Sequence, residues 1–121
     1  MRTTKKHFLI FRTECEKWID MFGLKDWETT YVHEPIKDLA KCTTSILARD
    51  LVFYFTTNWP KDEPFSEEII RRTAFHEVVE GGLLGRLRIL AKLRWVKEEE
   101  IDEEGHTVTR ILENVLWKST Q

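Results

Sequence analysis

Residues 40 to 58 restrict the fold of this chain more than any other stretch. Ala40, Cys42, Thr44, Ile46 and Ala48 alternate with Lys41, Thr43, Ser45, Leu47 and Arg49. "LVFYFTTN" then runs from Leu51 to Asn58 after a tight turn near Arg49 and Asp50. Period two with β-branched and aromatic content specifies strands. The turn lacks the glycine that marks the strongest hairpin signal. Upstream, Trp27, Thr29 and Tyr31 fall on one side of "DWETTYVHE" and add a third strand.

Helical spacing brackets this sheet. Phe8, Phe11, Cys15, Trp18, Ile19 and Phe22 recur every three or four residues, so Thr4 to Phe22 reads as a helix, with Thr3 or Thr4 as its cap and Gly23 at its end. After the loop "WPKDEP", Ser66 caps a second helix whose first turn carries Glu67 and Glu68, where carboxylates complement the helix dipole. Its periodicity continues through Ile69, Ile70, Thr73, Ala74, His76, Glu77 and Glu80, and the pair Gly81 and Gly82 weakens it before "LLGRLRILAKLRW". A last helix covers Glu99 to Lys118, with Ile101, Val108, Ile111, Leu112 and Val115 as its apolar stripe. Helix, strands, then helices describe an α+β fold with a small three-stranded, mainly antiparallel sheet.

A chain of 121 residues suits one domain with a modest core, and 41% hydrophobic residues with five tryptophans supply the material for it. Trp18, Trp27, Trp59, Trp95 and Trp117 read as core residues. The longest apolar run, Leu51 to Phe55, is far short of the roughly 20 residues of a membrane span, and "MRTTKKHFLIF" lacks the apolar centre of a secretion signal, so a cytoplasmic protein is expected. Nineteen basic against 21 acidic side chains argue against binding nucleic acid through overall charge. Arg86, Arg88, Lys92 and Arg94 read as neutralised by the acids from Glu98 to Glu104. Cys15 and Cys42, without paired spacing, read as reduced thiols, and His7 and His33 as surface or capping residues.

The stretch that carries chemistry is "AFHEVVEGG", residues 74 to 82. At about 100° per residue, His76 and Glu80 lie about 40° apart on one helix face and can hold one ion, while Glu77 points to the adjoining side. In zinc peptidases the ion lowers the pKa of water towards about 7, and a neighbouring carboxylate takes the proton as the peptide carbonyl is attacked. So short a string arises by chance in a Glu-rich chain, and its context strengthens it. The helix is entered from a strand and loop, and His106 lies on a later helix, off the main apolar stripe, sharing a face with Glu103, Arg110 and Glu113. Glu103 and Glu104 are competing donors. Glu103 and His106 also form the Glu-x-x-His pair of di-iron bundles, a reading that three strands and a single such pair disfavour.

In "FGLKDWETTY", "EEIIRRTAFHEVVE" and "EEGHTVTRILENVLW" the chain resembles the small phage-encoded metallopeptidases of the zincin-like class, minimal relatives in layout of the SprT-like and other gluzincin-type proteases. The likeness covers most of the chain, and the middle stretch holds its one specific motif. The resemblance implies that His76 is a zinc ligand, Glu77 the base that activates water and His106 the distal ligand, with a peptide or protein as substrate and the host cytoplasm as location. Glu80 stands where the usual motif has its second histidine. A carboxylate binds zinc at about 2.0 to 2.2 Å, so the site can remain intact. Its added negative charge should leave bound water less acidic and the site more tolerant of Mn or Fe. The expectation is therefore a metal site with weak or unusual catalysis, and the alternative is a non-catalytic relative that serves as an interaction module.

Overall fold

In the computed structural model, described over residues 1–45, 48–92 and 97–117, the chain runs α1 (Lys5–Met21), β1 (Glu28–Glu34), β2 (Ala40–Ser45), β3 (Asp50–Thr56), α2 (Glu67–Glu77), α3 (Gly85–Ala91) and α4 (Glu98–Leu112). Two π-helical segments, Val78–Leu83 and Glu113–Trp117, extend α2 and α4. The α+β class and the element order match the expectation. Trp95, Ile46, Leu47, Arg94 and Lys118 lie outside the described residues.

The first helix follows its caps. Thr4 Oγ1 accepts from the His7 N–H at 3.3 Å, and the Thr4 N–H donates to His7 Nδ1 at 3.0 Å. His7 is thus the reciprocal member of a capping box, with imidazole in the place of the usual carboxylate. Gly23 takes φ +70 just past the end, the left-handed conformation that stops a helix cheaply only at glycine.

The sheet corrects one expectation. It is mixed rather than mainly antiparallel, in the order β1-β3-β2, with β1 parallel and β2 antiparallel to the central β3. Residues 35–39 carry the chain from one edge to the other. Five residues can span about 17 Å, more than the roughly 10 Å across two strand spacings. The centre goes to β3 because Leu51, Phe53 and Phe55 carry its heaviest apolar face, and all three are buried. Register places Thr29, Tyr31 and His33 on one side of them and Ala40, Cys42 and Thr44 on the other. The second strand is shorter than expected. It ends at Ser45, and Ala48 and Arg49 belong to the turn, where Arg49 adopts φ 54 and pairs with Asp26 at 3.2 Å.

α1 lies against the sheet and α2. Phe11 stacks on Phe55 at 4.9 Å, and Trp18 meets Phe75 edge-on at 4.6 Å. Trp18, Trp27, Trp59 and Trp117 are all buried, as expected of core residues. Each fully buried phenylalanine here contributes roughly 1.5–3 kcal/mol of transfer free energy. His33 lies flat against Phe8 at 4.9 Å and hydrogen-bonds Thr3 Oγ1 at 2.7 Å, a packing role. Cys15 is buried and Cys42 partly so, both free thiols. No helix among the described residues is long and apolar enough to cross a membrane.

The last helix corrects a second expectation. Val108, Ile111 and Val115 are exposed, while Thr109, Glu113 and Trp117 are buried. α4 therefore turns inward a stripe that ends in its largest side chain, Trp117, and that stripe carries polar groups towards α2.

Candidate metal centre

Gly81 and Gly82 do not break the motif helix; they widen it. From Val78 the backbone changes to π geometry, seen in the Leu84 N–H bonded to the Val79 carbonyl five residues back at 3.0 Å. A Cβ at Gly81 would overlap Cβ and Sγ of Cys42, so glycine lets this segment lie directly on β2. The Thr44 hydroxyl then donates to the Gly81 carbonyl at 2.7 Å. Helix-turn widening of this kind recurs at functional sites because it re-aims side chains.

What it aims here is Glu80. Glu80 Oε2 lies 2.6 Å from His76 Nε2, and Glu80 Oε1 lies 3.2 Å from His106 Nε2. The two imidazole rings are 6.1 Å apart between centroids. One donor atom from each of His76, Glu80 and His106 falls within 4.8 Å of the others, and this is the one such group of His, Cys, Asp or Glu among the described residues. Ligands around tetrahedral zinc stand about 3.3 Å apart. The widest separation exceeds that spacing, so the side chains would have to draw together to hold an ion. Glu103 is exposed and outside it, and the side chain of Glu104 lies outside those described.

The outer nitrogens decide how the rings present themselves. His106 Nδ1 sits 2.8 Å from the Asp102 carbonyl, which can only accept, so Nδ1 carries the proton and Nε2 is left to face Glu80. His76 Nδ1 faces Glu113 Oε1 at 3.5 Å, and Arg72 Nε holds the other Glu113 oxygen at 3.2 Å. Each ring therefore turns Nε2 towards one carboxylate and Nδ1 towards an oxygen acceptor. Histidine ligands of metals are oriented in this way. Two imidazoles and one carboxylate are also a donor set that catalytic zinc uses, with a fourth position left for water. The chemistry of these three residues is one that could hold a metal ion.

Glu113 was not among the expected site residues. The signal for it was spacing: it lies two helical turns after His106 on the same face. Arg88 is the other addition, with Nη1 3.7 Å from Glu80 Oε1 and Nε 2.9 Å from Asp102 Oδ1. Lys92 pairs with Glu98 at 3.0 Å, so these two members of the basic stretch meet the acids of α4 as expected.

Charge is unevenly shared across the cluster. Hydrogen bonds to Glu113 and Glu80 push His76 up to about 10, against the opposing effect of burial. The same His76 contact holds Glu80 below its ordinary value. Burial alone would raise Glu113, but hydrogen bonds from His76 and Arg72 outweigh it and hold it low. Glu77 goes the other way. Burial raises it to about 8, opposed by His76 and reinforced by Glu80 and Asp38.

Glu77 lines the same cleft as His76, Glu80 and His106, a space of about 620 Å³ that β2 residues Lys41 and Cys42 also line. The structure thus brings all four expected residues to one cleft. Burial of Cys42 pushes its thiol well above the usual range, so it is not a ready nucleophile there. No protein-family model, no curated protein and no solved structure matches this chain.

Proposed function

We propose that the chain is a metal-dependent hydrolase acting on peptide bonds, with zinc, or Mn or Fe in its place, held by His76, Glu80 and His106. The observation that carries this reading is the pair of imidazoles turning Nε2 to one carboxylate while Nδ1 is tied to Glu113 and to the Asp102 carbonyl. When bound, the ion would polarise the scissile carbonyl and acidify water. Glu77 would take the proton from that water and pass it to the leaving amine. A carboxyl raised by burial to about 8 and then lowered by a neighbouring dication is matched to proton transfer near neutral pH. Glu113 and Asp102 keep the rings aimed, and β2 forms the wall along which a substrate chain would lie.

The competing reading is a non-catalytic binding protein. Its support is the 2.6 Å contact of His76 with Glu80, which satisfies both groups without an ion. Glu77→Gln separates the two. With metal content unchanged, hydrolysis of an unfolded protein substrate should fall by at least about a hundredfold. Unchanged hydrolysis would remove Glu77 from the mechanism, and no hydrolysis by the metal-loaded parent would favour the binding protein.

A further inference from the structure

Glu80 places a negative charge where an imidazole would bring none, and Arg88 stands against it. Its Nη1 is 3.7 Å from Glu80 Oε1, the same oxygen that His106 Nε2 approaches at 3.2 Å. Asp102 holds the arrangement twice over: its carboxylate accepts from Arg88 Nε at 2.9 Å, and its carbonyl accepts from His106 Nδ1 at 2.8 Å. The side chains of Arg88 and Glu80 are 32% and 16% exposed, so solvent screens the pair less than it would a surface pair.

We propose that Arg88 is a positioning residue that, shared between Asp102 and Glu80, offsets part of the charge that Glu80 brings to the His76, Glu80 and His106 group and so lowers the negative charge this group presents to a dication. This rests on the metal reading above. A guanidinium suits the role because its fork can engage Asp102 with one nitrogen and face Glu80 with another, which a lysine ammonium cannot do in the same way. A fixed cation beside the ligands lowers affinity for a dication and leaves more of the ion's charge to act on water.

A purely structural Arg88 makes the opposite prediction. As a strut from α3 to α4 through Asp102, its loss would loosen His106 and weaken binding. Zinc affinity, measured by calorimetry with a competing chelator, distinguishes the two in the full chain. Asp102→Ala removes the strut and keeps the Arg88 charge, so comparing it with Arg88→Gln/Asp102→Ala isolates that charge. The double variant should bind zinc about tenfold tighter than Asp102→Ala. Equal or weaker binding overturns the proposal. If the double variant does not fold, Arg88→Gln against Arg88→Lys decides: tighter binding by the Gln form supports it, and equal or weaker binding overturns it. Failure of the unaltered chain to bind zinc would overturn the metal reading and this inference with it, whereas the wrong sign in a zinc-binding chain removes only the role of Arg88.

Discussion

α2 and its π extension are packed on two unlike sides. Towards α1 the contacts are apolar, with Phe11, Cys15 and Trp18 fully buried and Phe75 set against Trp18. Towards α4 they are polar: Thr109 and Glu113 are buried there, and His76, Glu80, Arg72 and Arg88 supply the pairs. The apolar side stabilises through area and close packing, which depend little on pH. The polar side depends on geometry and protonation, so it can respond to a proton or an ion and the other cannot.

Breaking the apolar side should cost most. Phe11→Ala removes a ring with no exposure from its stack on Phe55 and should lower unfolding free energy by about 3–5 kcal/mol in urea titration. Gly81→Ala comes next, at about 1–3 kcal/mol, because the new methyl meets Cys42. Cys42→Ala should not rescue it, since the overlap involves the Cys42 Cβ as well as the sulfur. Rescue by that change would mean the π segment does not rest on β2 as described.

The polar side should fail differently. Glu113→Gln leaves the fold in place and lowers zinc affinity by about 10- to 100-fold, the usual cost of losing the partner that orients a histidine ligand. An unchanged affinity would detach Glu113 from the site. The pH response follows from the shifts. His76 is raised from 6.5 to about 10, so its contribution to metal-free stability is complete below pH 6.5 and is lost as pH rises through 10. Glu80 and Glu113 are lowered from 4.5, so theirs is complete above pH 4.5 and is lost as pH falls further. Glu77 is raised from 4.5 to about 8, so its ionisation in the fold costs stability, a loss that begins above pH 4.5 and is complete near pH 8. Metal-free stability should therefore be greatest near pH 4.5 and fall above it, more steeply beyond pH 6.5, and chemical denaturation across pH 4 to 10 of the parent and His76→Gln should show the decline above pH 6.5 made shallower in the variant. Ile111→Lys should change stability least, within about 0.5 kcal/mol, because Ile111 is exposed.

Local features of the fold were readable from the chain. Thr4, Gly23 and Ser66 mark helix ends that their own side chains or backbone freedom determine. The alternation in β2 marks it as a strand because strand periodicity is set residue by residue. Strand order was not readable, since nothing in Glu28–Glu34 distinguishes a β3 partner from a β2 partner before the three strands meet. The inward face of α4 was misjudged for a related reason. Val108, Ile111 and Val115 form the more apolar stripe, but α2 offers that helix Arg72 and His76, and Glu113 pairs with both. Helical spacing marks the motif residues and puts Glu113 on the His106 face, whereas the contacts of Glu113 with His76 and of Arg88 with Glu80 arise only where separate elements meet. The π turn at Gly81 and Gly82 depends on contact with Cys42 and Thr44, which are far away in sequence.

The central claim is that His76, Glu80 and His106 form one metal site. X-ray absorption at the zinc edge, on chain dialysed after loading with one equivalent of zinc, tests it most directly. The account predicts retained zinc with scattering from two imidazoles and a carboxylate oxygen at about 2.0 to 2.2 Å, with one imidazole lost in His106→Ala. Zinc that dialyses away, or a first shell of oxygen atoms without imidazole, would contradict it.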